Sequence, residues 1–251
     1  MSYIAVDLDM STSEPIARVK RPQDEEWNTR DEWSTTASFE VSSIENVRKT
    51  DIAIINEVYV EDVYDARAVD FDGGVVIDAG AHIGVFTTRV AQAGAQVHAY
   101  DADAFNCRRL LRNTTANGVS ELAQVTHAAI VADCRLKMDS VRDADTGMSE
   151  VKRADGGTTP CITLSEVVRT AASAGPVKLL KMDIEGFEYE AICEAASVLH
   201  LVEHIAMEWH VVSDPVVLGE MVTTILRTHA VRVFGVPHVG GMLHATRYEG
   251  T

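Results

Sequence analysis

The sequence predicts an α/β protein built on one mostly parallel sheet of seven strands, with crossover helices and a terminal antiparallel hairpin. Three observations lead there. From Val75 onward, short apolar runs alternate with helical patterns, the texture of consecutive βαβ units. Gly94 and Gly118 each follow a helix-length stretch, where a chain leaving a helix favours a residue that turns freely. Residues 232–248 (RVFGVPHVGGMLHATRY) read as two strands around a Pro and Gly-Gly turn. A length of 251 residues with 46% apolar side chains suits one globular domain with an appendage.

Residues 1–50 hold Pro15, Pro22, the acidic run Asp24, Glu25 and Glu26, and two tryptophans, Trp27 and Trp33, in polar surroundings. They read as a flexible start followed by an arm or cap, with the main domain at 51–251. Large rings are seldom left in water, so the two indoles are expected to pin the arm or to cover a cleft. Residues 52–64 (IAIINEVYVEDVY) suit a short strand or a helical turn entering the domain. VVIDA at 75–79 is a buried strand, 84–93 a helix stopped by Gly94, 96–100 the second strand, 104–117 the second helix and 122–131 the third strand. The polar stretch 132–160, with Gly147, Gly156 and Gly157, exceeds an ordinary connection and reads as a hairpin excursion or a mobile loop. Thr163 and Glu166 have the spacing of a capping box at a helix start. The fourth strand falls at 177–182, a helix at 188–199, the fifth strand at 204–209, and Pro215 opens a last helix to about 229.

Charge narrows the partners. With 38 acidic against 22 basic residues the formal net charge is −16, and such a surface repels phosphate. Nucleic acid and anionic membrane are therefore poor partners, and a small-molecule acceptor fits better; a homo-oligomer is left open. The sequence has no apolar run of membrane-spanning length, and its first ten residues lack the basic-then-apolar order of an export signal, so the expected location is cytoplasmic. Cys107, Cys134, Cys161 and Cys193 have neither metal-clip nor disulfide-framework spacing and are expected to be core thiols.

The chemistry gathers at strand ends, where open α/β sheets bind ligands. The first central strand runs into Asp78, Ala79, Gly80, Ala81, His82, Ile83 and Gly84, a D-x-G-x-x-x-G loop opening a helix. Its glycines allow a tight turn, and the helix start offers free N–H groups to an anion. A dinucleotide loop needs a second glycine where Ala81 and His82 stand, so a dehydrogenase is disfavoured. A ligand with a small amino-acid end, such as S-adenosylmethionine, fits instead. The second strand ends in Tyr100, Asp101 and Ala102, placing a carboxylate where it can accept ribose hydroxyls. Asp183 and Glu185, two apart at the end of the fourth strand, face one side, as do Glu208 and His210 at the end of the fifth. Glu188 and Glu190 read as charges favouring the start of their helix.

In VVIDAGAHIGVFT (75–87), HAYDADAFNCRRLLRN (98–113), ITLSEVV (162–168), LLKMDIEGFEYEAI (179–192) and the following MEWH, the chain resembles the FkbM-type methyltransferases, a branch of the class I S-adenosylmethionine-dependent enzymes. The likeness spans roughly 55–235, and D-I-E-G-x-E is its most specific part. It implies a Rossmann-like seven-stranded methyltransferase sheet, a cofactor held by the Gly80 loop and Asp101, and O-methylation of a sugar or other natural-product hydroxyl. His82 departs from the asparagine more usual in the family. The cofactor contacts expected are Asp78, Gly80, Ala81, His82, Gly84, Asp101 and Ala102. The expected catalytic residues are His210 as general base, with Asp183 and Glu185 orienting the acceptor. A divalent metal on Asp183, Glu185 and Glu208 is less favoured. The same residues also admit a non-catalytic S-adenosylmethionine or nucleotide sensor, or methylation of a nitrogen or carboxylate.

Overall fold

The computed structural model describes residues 5–9, 16–20, 36–40, 49–142, 149–210, 215–236 and 239–250. The predicted ring contacts of Trp27 and Trp33 lie outside these residues. Strands β1 (Ala5–Asp9), β2 (Ile16–Lys20) and β3 (Thr36–Glu40) form a small antiparallel sheet. Alternate side chains Ala17, Val19, Ala37 and Phe39 are buried, as a strand with one covered face requires. The Phe39 ring centroid lies 5.9 Å from that of Tyr59, and Asn117 exchanges hydrogen bonds with the Ser38 backbone.

Residues 52–61 are helical, and 62–64 leave the helix in a turn. Helix α1 (Lys49–Asn56) runs into a π-helical turn over Glu57–Glu61. Its last carbonyls, which no helical N–H reaches, are served by side chains: Arg67 donates to the Tyr59 carbonyl at 2.8 Å and Arg89 to that of Val58.

The main sheet begins with β4 (Val75–Ala79), followed by α2 (Val85–Gln92), β5 (Gln96–Asp101), α3 (Ala104–Ala116) and β6 (Ala123–His127). Outside it lie β7 (Ala129–Ile130), the hairpin β8 (Met138–Arg142) and β9 (Ser149–Arg153), and β10 (Cys161–Ile162). After α4 (Leu164–Ala174) come β11 (Val177–Met182), α5 (Glu188–Glu194), β12 (Val202–Trp209), α6 (Pro215–Leu226), β13 (His229–Val236) and β14 (Gly240–Arg247). The seven strands are ordered β13-β14-β12-β11-β4-β5-β6, with β14 antiparallel to both neighbours. Successive strands run outward from β4 in one direction and then restart at β11 on its other side. The strand order therefore reverses between β4 and β11, the place where such sheets open a ligand crevice.

Two apolar layers hold the sheet. Val76, Val97, Ala99 and Leu179 face α2, α3 and the N-terminal sheet; Ile77, Leu180, Met182 and Ile205 face α4, α5 and α6. The capping box at Thr163 and Glu166 is present. Residues 138–153 form the hairpin excursion, with 143–148 outside the described residues.

Three elements end earlier than predicted; one is the last helix, which stops at Leu226 so that His229 opens β13. The third strand leaves the sheet after His127: the Ala128 N–H donates to the Asp101 carbonyl at 3.0 Å, and Ala129–Ile130 pairs with Cys161–Ile162 instead. The helix from 188 stops at Glu194, where successive i+3 bonds (Val198 to Ala195, Leu201 to Val198) tighten the chain and bury Ala195, Val198 and Leu199. Of the four thiols, Cys107 alone is fully buried and Cys134 is exposed, because it falls in the connection between β7 and β8 rather than in an element.

Candidate active site

A cleft of about 650 Å³, open to solvent, lies over the carboxyl ends of β4, β5 and β11. Gly80, His82, Tyr100, Asp101, Ala102 and Asn106 line one end, and Asp183, Ile184 and Glu185 the other. The wall between them comes from Ala128, Ala129 and Ile130, so the departure of the chain from the sheet after His127 is what builds it.

The Gly80 loop is shaped from within. Gly80 has φ +79°, and a Cβ there would overlap the Asp183 carbonyl oxygen. Gly84 has φ +84°, and a Cβ would sit 2.7 Å from Leu110 Cγ. His82 also adopts the left-handed region, at φ +49°. Asparagine and histidine tolerate that conformation better than most side chains, which explains how histidine can stand where the family favours asparagine. Asp78 does not face the cleft. It is fully buried, accepting from Thr87 Oγ1 at 2.6 Å and pairing with Lys181 Nζ at 3.2 Å. Lys181 also donates to the Gly80 carbonyl at 2.7 Å and lies 5.3 Å from the centre of the Tyr64 ring. Burial alone would pull Lys181 down, but Asp78 and Asp183 outweigh it and hold its pKa above the usual lysine value. Asp78 and Lys181 thus form a strut under the loop, a role that pattern alone does not reveal.

Asp101 meets the loop across the cleft. Its Oδ2 accepts the His82 N–H at 2.8 Å, and its Oδ1 accepts the Asp103 N–H at 2.8 Å and Asn106 Nδ2 at 3.3 Å. Burial pushes its pKa up to about 7 despite those donors. The His82 ring points toward Asp51 of α1, with Nε2 3.8 Å from Asp51 Oδ1; Asp51 pairs with Arg109 at 3.0 Å. Burial lowers His82 to about 4, so it is neutral at physiological pH.

At the other end, Asp183, Glu185 and His210 converge. His210 Nε2 lies 3.2 Å from Glu185 Oε2 and 3.9 Å from Asp183 Oδ1, while Nδ1 is 3.1 Å from Glu188 Oε1. Glu188, buried, is held in turn by the N–H groups of Ile184 and Gly186. Its expected role at the helix start is therefore only part of what it does. Burial pulls His210 down, but hydrogen bonds to Glu185 and Glu188 and the charges of Glu188 and Asp183 push it up to about 11. That favours an imidazolium at neutral pH, with both ring nitrogens facing carboxylates. Asp183 is raised by loss of solvent and by Glu185, against the pull of Lys181 and His210, and the Tyr64 hydroxyl donates to its Oδ2 at 3.4 Å. Half-buried Glu208 is pushed up to about 7, by burial first and then by Asp183. Among the described residues, the side chains close enough to share a metal ion are Asp183, Glu185 and His210, with ligand atoms within 4.8 Å of one another; Glu208 is not in that group.

The chain is similar in fold to a solved structure provisionally described as a methylase. A protein from Clostridium thermocellum, provisionally described as an rRNA methylase, superposes with a TM-score of 0.51 at 10% identity, over 75% of this chain and 94% of that one. An rRNA methylase from Streptococcus thermophilus gives 0.49 at 12% identity, over 76% and 96%. The magnesium protoporphyrin IX methyltransferase of Synechocystis with bound S-adenosylmethionine gives 0.44 at 15% identity, over 81% and 85%. Comparison with curated protein sequences returns no match. The Methyltransferase FkbM domain matches residues 78–226, more than half of the sequence and the whole span from the Gly80 loop through the Asp183–His210 cluster, and the chain belongs to this family of S-adenosylmethionine-dependent methyltransferases.

Proposed function

We propose that the enzyme methylates a hydroxyl of a small molecule or natural product, with S-adenosylmethionine between the Gly80 loop and Asp101 and the acceptor beside Asp183, Glu185 and His210. The observation that carries this reading is that Asp183 and Glu185, both contacted by His210, line one end of the cleft whose other end holds Gly80 and Asp101. S-adenosylmethionine held there would supply an activated methyl group to the acceptor oxygen and leave as S-adenosylhomocysteine. The hydroxyl proton leaves the acceptor oxygen. Both nitrogens of His210 already face carboxylates, so the group placed to take that proton is the Asp183 carboxylate, with His210 holding Glu185 and Glu188 in place. Positioning the two reactants lowers the barrier by about 7–11 kcal/mol, and proton removal adds roughly 10²–10⁴ in rate.

The test is methyl transfer from labelled S-adenosylmethionine to a panel of sugars, peptides and polyketides, with the site of methylation read by mass spectrometry. Transfer to oxygen that falls roughly 10²-fold or more in Asp183→Asn, with S-adenosylhomocysteine affinity little changed, supports the reading. Methyl on nitrogen or carboxylate overturns the hydroxyl assignment, and tight cofactor binding with no transfer to any acceptor favours a sensor.

A second reading has one specific observation behind it. Asp183, Glu185 and His210 could share a divalent cation, because Glu188 would fix the ring so that Nε2 points at the two carboxylates. Such an ion would acidify a diol without a protein base. Undiminished turnover after exhaustive chelation would end this reading.

A further inference from the structure

We propose that Asn106 reads the cofactor's ribose together with Asp101, making the nucleoside end of the cleft selective for a ribose over a deoxyribose. The inference rests on the S-adenosylmethionine reading of the cleft. Asn106 sits in the first turn of α3, lines the cleft and is only 2% exposed. Its Nδ2 donates to Asp101 Oδ1 at 3.3 Å, which fixes which way the amide faces: flipped, it would set oxygen against oxygen. The fixed amide leaves Oδ1 buried, accepting no hydrogen bond from the described residues. A buried acceptor in that state is rare in native proteins and marks a place where a donor arrives from outside the chain.

The surroundings identify the donor. Asp101 Oδ1 already takes two N–H groups, whereas Oδ2 takes only the His82 N–H and keeps capacity for one more donor. A ribose presents two hydroxyls on neighbouring carbons. One reaches Asp101 Oδ2 and the other Asn106 Oδ1, so two acceptors joined by their own hydrogen bond meet two donors joined by one carbon–carbon bond. Ser149 Oγ does not compete, being committed to Asp103 Oδ2 at 2.7 Å, and Ala128, Ala129, Ile130 and Val151 offer apolar side chains suited to the faces of the base. Asparagine is also neutral, so it adds an acceptor beside Asp101 without adding a second negative charge to a carboxylate already hard to ionise.

Calorimetric titration of the full chain tests this. Wild type, Asn106→Leu and Asn106→Ala are each titrated with S-adenosylhomocysteine, its 2′-deoxy and 3′-deoxy analogues, and the analogue with a 6-oxo in place of the 6-amino group. The expected result is that both variants bind S-adenosylhomocysteine roughly tenfold to hundredfold more weakly, and that the penalty wild type shows for losing one ribose hydroxyl disappears in them. Three results overturn it: variants that bind as wild type does, variants that bind every ligand equally more weakly with both deoxy penalties intact, and loss of discrimination confined to the 6-oxo analogue, which would assign Asn106 to the base. Wild type that binds none of the four overturns the S-adenosylmethionine reading itself, an outcome distinct from the other three.

Discussion

Single side chains in this site do opposite things with the same chemistry. Asp78 and Asp101 both stand at strand ends beside Gly80, yet one is sealed inside against Lys181 and Thr87 and the other opens on the cleft. Lys181→Met would leave Asp78 charged and buried without its partner, a loss of about 3–5 kcal/mol in chemical denaturation. Asp101→Asn should keep the fold and weaken S-adenosylhomocysteine roughly tenfold to hundredfold by calorimetry. Asp101 also sets a pH dependence. Its pKa of about 7 in the free protein means that the carboxyl is protonated below that pH, and a ribose hydroxyl donates well only to the ionised form. Cofactor affinity should therefore rise with pH up to about 7 and level off above it, and the rise should vanish in Asp101→Asn. A wild-type profile flat from the acid side through neutrality would contradict this. The D-x-G-x-x-x-G pattern shows that position 78 is acidic but not which way it points, because its direction depends on a lysine about a hundred residues later in the chain. His210 is a similar case: position at a strand end is readable, but the carboxylates on both its nitrogens come from a folded neighbourhood.

At the scale of elements, the strands and helices with strong period and clear stops are where the pattern places them, including β4, β5, α3 and β11. The exceptions are instructive. Residues 122–131 are continuously strand-like, but the chain quits the sheet at Ala128, since Asp101 offers a carbonyl and β10 offers a new partner. Neither is visible in a local window, yet that break makes the wall of the cleft. The hairpin β8–β9 is anchored at its loop end by Asp103, which accepts from Arg142 at 3.0 Å and Ser149 at 2.7 Å, while Val151 reaches the cleft. Asp103→Ala should loosen the hairpin, seen as faster amide exchange in β8 and β9 relative to β4 and β11; unchanged exchange would show that the anchor contributes nothing measurable. In the N-terminal sheet, Phe39→Ala removes a fully buried ring and should cost about 3–5 kcal/mol of stability, measurable by denaturant titration. A cost near zero would mean that this sheet does not share the core of the main domain.

The whole molecule follows from where strand order reverses. Building outward from β4 and then restarting at β11 leaves Gly80, Asp101 and Asp183, separated by up to about a hundred residues of sequence, around one crevice, with His210 behind Asp183 and Glu185. That arrangement is legible early because βαβ connections constrain topology so strongly. What composition cannot supply is the shape of the cleft, to which Ile54, well before the first central strand, contributes a side chain. Among the described residues no helix is long and apolar enough to cross a membrane. The most direct measurement is calorimetric titration of the wild-type and Asp101→Ala proteins with S-adenosylhomocysteine. One site per chain in the wild type, with affinity lost by tenfold or more in the variant, is the predicted result. Equal binding by the two proteins, or no heat from a folded wild type, would contradict the assignment of the cleft.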